Sequence, residues 1–98
     1  MTDDPESLTG LREQVDAVDT KLVELLGERF GLTRMIGHLK AAENLPSRDE
    51  ARESHQHLRL AILAEEQGID ATMVLHIYDA VMNRVVEEHE AMKHGEFE

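Results

Sequence analysis

The sequence predicts an all-α fold: a three-helix protomer with one very long N-terminal helix. Apolar residues recur in alternating steps of three and four along residues 11–39, as one face of an amphipathic helix requires. No stretch alternates like a strand, and no internal repeat or low-complexity tract is present. The 98 residues predict a single domain, with its core over about residues 8–92 and flexible ends at 1–7 and 93–98.

The first helix is predicted from Ser7 or Leu8 to about Glu43, a segment without proline. At about 1.5 Å rise per residue, some 35 residues span about 50 Å, whereas a compact domain of about 100 residues has a radius of gyration of only about 13 Å. The remaining residues are too few to cover so long a helix. We therefore expect a partner chain to lie along it.

The second helix is predicted over about residues 49–67. Pro46 disfavours helical geometry in the residue before it and so ends the first helix. Ser47 or Asp49 can then cap the second helix, and Gly68 is a suitable stop residue.

The third helix is predicted from a cap at Asp70 to about Lys93. Its apolar stripe consists of Met73, Val74, Ile77, Tyr78, Val81, Met82 and Val85. The stripe predicts that one face of this helix packs against the other helices.

Composition excludes several classes of function. The net charge of −11 repels nucleic acid and anionic lipid, so only a small anion held in a local cluster of cations is a plausible charged ligand. Cysteine is absent, which excludes disulfides and thiolate chemistry. No apolar run approaches a membrane span, and the acidic N-terminus lacks the basic start of a signal peptide. We therefore expect a cytoplasmic protein.

One charge stands on the apolar face of the first helix. The pattern predicts a buried apolar residue between Leu25 and Leu32, and the residue at that position is Arg29. A buried ion pair, or a buried aliphatic stem with its head in water, would explain this arginine without a ligand. The other explanation is that this face lines a cavity that binds an anion.

Two further cations of the first helix can be placed relative to Arg29. Lys40 follows eleven residues later, which at about 100° per residue puts both side chains on nearly one face. A lysine near a helix C-terminus is also ordinary. Arg12 precedes Arg29 by seventeen residues, roughly 100° away round the helix, and joins the other two only from a partner chain.

The second helix opens with RDEARES. Asp49, Arg52 and Glu53 stand at i, i+3 and i+4 and therefore share one face of its first turns. They can present one cation and two acceptors to a ligand. The same spacing suits an acidic helix N-terminus with a solvated charge cluster, and spacing alone does not decide between the two.

The six histidines do not predict a metal site. His55 and His57 are two apart and lie on different helix faces, while His89 and His94 are five apart. None has the i,i+4 spacing of a helical two-histidine site, so we expect no metal. No cofactor is expected either, because phosphate-cradling glycine loops and dinucleotide fingerprints are absent.

Three segments together resemble the all-helical (AroQ-class) chorismate mutase family. They are LREQVDAVDTKLVELLGERF…IGHLK, RDEARES and GIDATMVLHIYDAVMNRVVEEH, and the likeness covers roughly residues 8–90. The resemblance implies an intertwined homodimer with two sites, each built from both chains. It also implies an isomerase that rearranges chorismate to prephenate in the shikimate pathway of aromatic amino-acid biosynthesis.

The resemblance also implies roles for individual residues. Arg29 and Lys40 match the cations that bind the substrate carboxylates and the ether oxygen, and Arg12 matches the arginine donated by the partner subunit. A further active-site arginine and two acids near the substrate hydroxyl are matched by Arg52, Asp49 and Glu53. Arg29 would then lie on the apolar face because that face lines the substrate cavity.

The implied reaction suits these residue types. A pericyclic rearrangement needs no nucleophile, cofactor or proton transfer, but the protein must hold a flexible dianion in a reactive chair-like conformer. It must also stabilise the negative charge that grows on the ether oxygen as the C–O bond breaks. Arginine binds carboxylates through its planar fork, and lysine supplies a compact charge for a single oxygen.

Two positions depart from the common pattern of the family. A glutamine that contacts the ether oxygen in many members is His89 here, and a nearby serine is Val85. Our hypothesis is that His89 takes the role of the glutamine and makes turnover depend on pH between about 5 and 8. The alternative is a histidine at the end of an apolar stripe with its free end in water.

The departures leave specificity open. Relatives of the same fold remove pyruvate from isochorismate or rearrange the 4-amino analogue of chorismate, whereas Asp49 and Glu53 favour a hydroxyl-bearing substrate and hence the mutase. A non-catalytic dimeric helical module is an alternative of another class, in which Arg29 and Lys40 could become apolar without functional loss. The resemblance also leaves open activation by docking on another enzyme of the shikimate pathway.

Overall fold

A computed structural model describes residues 4–97 of the chain. This part forms three α-helices: α1 (Leu8–Ala42), α2 (Glu50–Glu66) and α3 (Ala71–Lys93). No strand occurs among these residues, and the all-α prediction is confirmed with helix ends within one residue of those expected. The predicted flexible ends include residues 1–3 and 98, which lie outside the described residues, and their flexibility stays a prediction.

The end of α1 is set by backbone geometry at Asn44, which has a φ of 54° in the left-handed region. The Leu45 N–H donates to the Lys40 carbonyl at 2.8 Å, and the Asn44 N–H donates to the Ala41 carbonyl at 3.3 Å. These two bonds satisfy the last carbonyls of the helix. The predicted stop at Pro46 lies two residues further on, so Pro46 prevents continuation while Asn44 forms the cap.

Aspartates cap the two shorter helices, as predicted. The Asp49 side chain accepts from the Arg52 N–H at 3.0 Å, and the Asp70 side chain accepts from the Thr72 N–H at 3.2 Å. Gly68 ends α2 with a φ of 70°, a left-handed conformation that glycine adopts readily and most other residues rarely.

The chain divides into two compact units, residues 1–32 and residues 33–98. The first unit contains most of α1 and the turn that precedes it. Ser7 caps α1, because its Oγ accepts from the Gly10 N–H at 3.0 Å while its own hydroxyl donates to the Asp4 carbonyl at 2.6 Å.

The apolar face of α1 is uncovered within the first unit. Its large aliphatic side chains are between 49% and 59% exposed: Leu11, Val15, Val18, Leu22 and Leu25. A contiguous exposed row of this kind is unfavourable in water and typical of an interaction surface.

The second unit contains the end of α1 together with α2 and α3, and α2 packs against α3. The buried apolar residues are Leu60, Ala64, Met82 and Met92. Glu88 and His89 are buried polar residues of α3, and both are held by the end of α1. Over residues 4–97, no helix combines the length and apolar character needed to cross a membrane.

Candidate functional site

His89 lies in a slot against the end of α1. It is 3% exposed, and its Nε2 lies 2.7 Å from the carbonyl oxygen of Thr33. Since a carbonyl only accepts, Nε2 carries the hydrogen and donates. Gly37 makes this approach possible, because a Cβ at that position would lie 2.5 Å from the imidazole Cδ2 and 2.9 Å from Nε2.

The bond to Thr33 determines what the other ring nitrogen of His89 can do. In the neutral ring Nδ1 then has no hydrogen and acts only as an acceptor, whereas in the protonated ring it donates with charge. Nδ1 is buried and has no hydrogen-bond partner among residues 4–97. A buried polar atom without a partner destabilises the protein, so Nδ1 is a candidate contact for a ligand.

A bidentate ion pair lies beside His89. The Arg34 Nε donates to the Glu88 Oε1 at 3.0 Å, and the Arg34 Nη2 donates to Oε2 at 3.1 Å. The hydrogen bond from Arg34 holds the pKa of Glu88 below its ordinary value against the effect of burial, and the charges of Arg34, Arg84 and His89 add to it. The same hydrogen bond raises the pKa of Arg34. Glu88 is therefore a buried carboxylate that stays ionised.

Lys40 is half-buried near the end of α1. Its Nζ donates to the backbone carbonyl of the buried Ser47 at 3.5 Å. The ammonium group of this lysine therefore lies beside the loop between α1 and α2, within the second unit.

Arg48, just before α2, contacts both α2 and α3. Its Nη1 lies 2.5 Å from the Glu53 Oε1, and its Nη2 donates to the Asn83 Oδ1 at 3.4 Å. Asp49 is the cap of the helix, while Arg52 is exposed on the first turn. The predicted cluster therefore lies together at one end of α2, and each of its two acids has a partner within the chain. The role of this cluster toward a ligand stays a prediction.

The remaining predicted residues lie on α1 and α3. Arg12 is exposed and Arg29 is half-buried, and both belong to the first unit. Val85 is half-buried on α3, four residues before His89 and so on the same helix face. The second unit contains the other predicted site residues: Lys40, Asp49, Arg52, Glu53, Val85 and His89.

Sequence reasoning missed the residues that hold His89. Gly37 carries a signal that could have indicated them, since glycine inside a helix is destabilising and often marks the close approach of another group. The pairing of Arg34 with Glu88 joins positions 54 residues apart, and no pattern in a single sequence indicates it.

Among residues 4–97, no three histidine, cysteine, aspartate or glutamate side chains are grouped so that they could hold a metal ion. Two of the histidines in this part of the chain have carboxylate partners instead, and the His94 Nε2 lies 3.6 Å from the Glu90 Oε2. The His57 Nε2 lies 2.8 Å from the Asp79 Oδ1, which links α2 to α3.

Residues 11–90 match the chorismate mutase type II family. Since the match covers most of the chain, the protein belongs to this family. The resemblance inferred from the charged motifs is thereby confirmed, as is the all-α fold that it implied.

Individual relatives agree with the family. The chain is 26% identical over 77 residues to a chorismate mutase of Methanocaldococcus jannaschii, covering 79% of this chain and 78% of that protein. It is 32% identical over 85 residues to the bifunctional chorismate mutase/prephenate dehydratase of Escherichia coli, covering 87% of this chain but only 22% of that protein. It is 27% identical over 77 residues to a 4-amino-4-deoxychorismate mutase of Streptomyces pristinaespiralis, covering 79% of this chain and 60% of that protein.

Proposed function

We propose that this chain is a chorismate mutase, an isomerase that converts chorismate to prephenate without a cofactor. The observation that carries the proposal is the match of residues 11–90 to the chorismate mutase type II family. The relatives from M. jannaschii and E. coli, which bear this activity in their names, support it. The residue types fit as well, because the rearrangement requires cations and a shaped cavity rather than a nucleophile.

The proposed catalytic cations are Arg29 and Lys40. Arg29 would bind a substrate carboxylate through its planar fork, and Lys40 would place a compact charge on the ether oxygen as the C–O bond breaks. Both side chains are half-buried, which strengthens their electrostatic effect relative to an exposed position. Arg52 is proposed as a further cation toward the substrate.

The two acids at the start of α2 are proposed to contact the substrate hydroxyl. Asp49 accepts from the Arg52 N–H through one oxygen, and Arg48 fixes the carboxylate of Glu53. Carboxylates accept from the ammonium group of the 4-amino analogue as well as from a hydroxyl, so an assay with both substrates decides between them. Val85, where many relatives have serine, would give this part of the cavity an apolar wall.

The proposed assembly is an intertwined homodimer in which Arg12 of the partner subunit completes each site. The exposed apolar row of α1 supports this, because five large side chains at about half exposure need a cover that their own unit does not provide. The same row on a second copy could cover it, because in a two-fold interface the same apolar surface of both subunits meets.

His89 is expected to make turnover depend on pH. Because Nε2 donates to Thr33, only the protonated ring can donate from Nδ1 to the ether oxygen. Charged groups next to it are Glu88 and Glu90 on α3 and Arg34 on α1. We expect kcat/KM for chorismate to fall as the pH rises from about 5 to 8, the range in which histidine commonly loses its proton.

The matched variant for this prediction is His89→Gln, whose amide donates at every pH. Its rate is expected to be nearly independent of pH over the same interval, measured as the disappearance of chorismate by absorbance. A wild-type rate that rises with pH would contradict the prediction, because the neutral ring would then accept a hydrogen bond from the substrate hydroxyl instead.

The function itself is tested by incubating the purified protein separately with chorismate, isochorismate and the 4-amino analogue of chorismate. Prephenate from chorismate, identified by chromatography, is the expected main product. Salicylate and pyruvate from isochorismate would instead indicate an isochorismate pyruvate lyase. Preferential turnover of the amino analogue would favour the activity named for the Streptomyces pristinaespiralis relative.

No turnover of any of the three would favour a non-catalytic dimeric helical module. An activating enzyme of the shikimate pathway is the other explanation for such a result. A purified candidate enzyme that gives prephenate only when this protein is also present would support it. A cytoplasmic location, the compartment expected for a step of aromatic amino-acid biosynthesis, is part of the proposal.

A further inference from the structure

We propose that Arg34 and Phe97 are positioning residues that hold the imidazole of His89 in one orientation, with Nε2 donating to Thr33. The inference rests on the proposed function only in assigning His89 to the substrate. The contacts that carry it all lie within the second unit of the chain.

Two adjacent residues of α1 hold two adjacent residues of α3. The Thr33 carbonyl accepts from the His89 Nε2 at 2.7 Å. Arg34 donates two hydrogen bonds to the Glu88 carboxylate, at 3.0 and 3.1 Å. Because Glu88 and His89 are consecutive, any rotation of α3 that moves the imidazole away from Thr33 must also break the ion pair. The pair therefore fixes the register of α3 against α1 at the position of His89.

Only one of the two side chains of the ion pair is shielded from water. The Glu88 side chain is 4% exposed, but that of Arg34 is 47% exposed. A half-exposed arginine loses side-chain entropy on pairing and gains little from a charge interaction that water screens. A further contact that restricts the guanidinium favours the geometry in which both hydrogen bonds are formed.

Phe97 supplies this contact. Gly95 turns the chain at the end of α3 with a φ of 70°, and the segment after it returns toward α1. The ring centroid of Phe97 lies 5.5 Å from the guanidinium carbon of Arg34, within the range of a cation–π interaction. The ring also meets that of His38, edge to face, with centroids 6.3 Å apart and planes at 70°.

The consequence is a chain of contacts from Phe97 through Arg34 and Glu88 to His89. A substitution that weakens the contact of Phe97 or of Arg34 is expected to let the imidazole leave Thr33. Either ring nitrogen can then carry the hydrogen. Nδ1 would then no longer be held at one position, so the hydrogen bond that it is proposed to make with the substrate would form in fewer molecules. We therefore expect a lower rate of the chemical step with little change in substrate affinity.

The test uses Arg34→Lys, which keeps the charge but not the fork, and Phe97→Leu, which keeps apolar bulk but not the ring face. Phe97→Tyr keeps the ring and is the rescue variant. Glu66→Gln is the matched control, because Glu66 is an exposed carboxylate at the end of α2 and takes part in none of the contacts that hold His89.

Two measurements are made on each variant. Nitrogen-15 NMR of the imidazoles in the ligand-free protein reports the tautomer of His89, and steady-state kinetics with chorismate separates kcat from KM. Arg34→Lys and Phe97→Leu are expected to give mixed tautomers and a kcat about 10-fold lower, with KM changed by less than about 2-fold. Phe97→Tyr and Glu66→Gln should keep the wild-type spectrum, with a single Nε2–H tautomer, and the wild-type kcat.

Wild-type spectra and kcat in Arg34→Lys and Phe97→Leu would overturn the proposal. If Arg34→Lys does not fold, as judged by circular dichroism, Phe97→Leu decides alone. If the wild-type protein does not turn over chorismate, the proposed function fails while the NMR result still decides whether Arg34 and Phe97 position His89.

Discussion

Arg29→Met is expected to remove most of the turnover of chorismate while leaving the fold and the proposed assembly intact. Methionine matches the apolar character of the neighbouring seam positions Leu25 and Leu32, so the variant removes the charge without disturbing the pattern. If Arg29 stabilises charge that develops in the transition state, its loss should lower kcat/KM about 10³-fold. The free energy of unfolding should stay the same or rise, since an apolar side chain often replaces a partly buried charge without loss.

The two effects are measured on the same preparation. Turnover is measured with chorismate at saturating and limiting concentration, stability by urea unfolding, and assembly by light scattering. Arg29→Lys keeps the charge but not the planar fork, so it should retain part of the activity. Arg59→Met, at an exposed arginine of α2, is the matched control and should keep the wild-type rate.

A non-catalytic pairing module predicts the opposite pattern for Arg29→Met. The variant would then be stable and functionally silent, because the charge would serve only the packing of the seam. Activity within about threefold of the wild-type rate would therefore remove Arg29 from the proposed site, since even one transition-state donor is worth far more.

The helices were predictable because each boundary depends on local chemistry. Asp49 and Asp70 cap helices with their own side chains, and Gly68 provides the left-handed residue that ends α2. The unusual charge at Arg29 was visible for a similar reason, since a regular apolar period makes one exception stand out. The stop of α1 was placed correctly by Pro46 although Asn44 forms the cap.

The environment of His89 was not predictable, because it depends on contacts between distant segments. The sequence indicated that His89 replaces a glutamine, but not that Nε2 is already engaged by Thr33. Only the structure shows that the neutral ring would present an acceptor rather than a donor at Nδ1. Arg34 and Glu88 could not be paired either, since each is an ordinary charged residue in its own helix.

Gly37→Ala is expected to disrupt the site through His89. The added methyl group would lie 2.5 Å from both the imidazole Cδ2 and the Met92 Sδ, so the end of α3 must move or the imidazole must leave Thr33. Overpacking of this kind destabilises proteins by about 1–3 kcal/mol, more than the roughly 0.5–1 kcal/mol that alanine gains over glycine in a helix. We expect a lower free energy of unfolding and a kcat about 10- to 100-fold lower.

Gly31→Ala is the matched control, because a Cβ on this glycine of the same helix meets nothing within 4 Å. It should raise the free energy of unfolding by about 0.5–1 kcal/mol through helix propensity and leave kcat unchanged. In the double variant Gly37→Ala/His89→Ala the methyl group no longer meets the ring, so the stability loss should be smaller than the sum of the two single losses. Additive losses would show that Gly37 and His89 act independently, and the slot would then have no part in placing the imidazole.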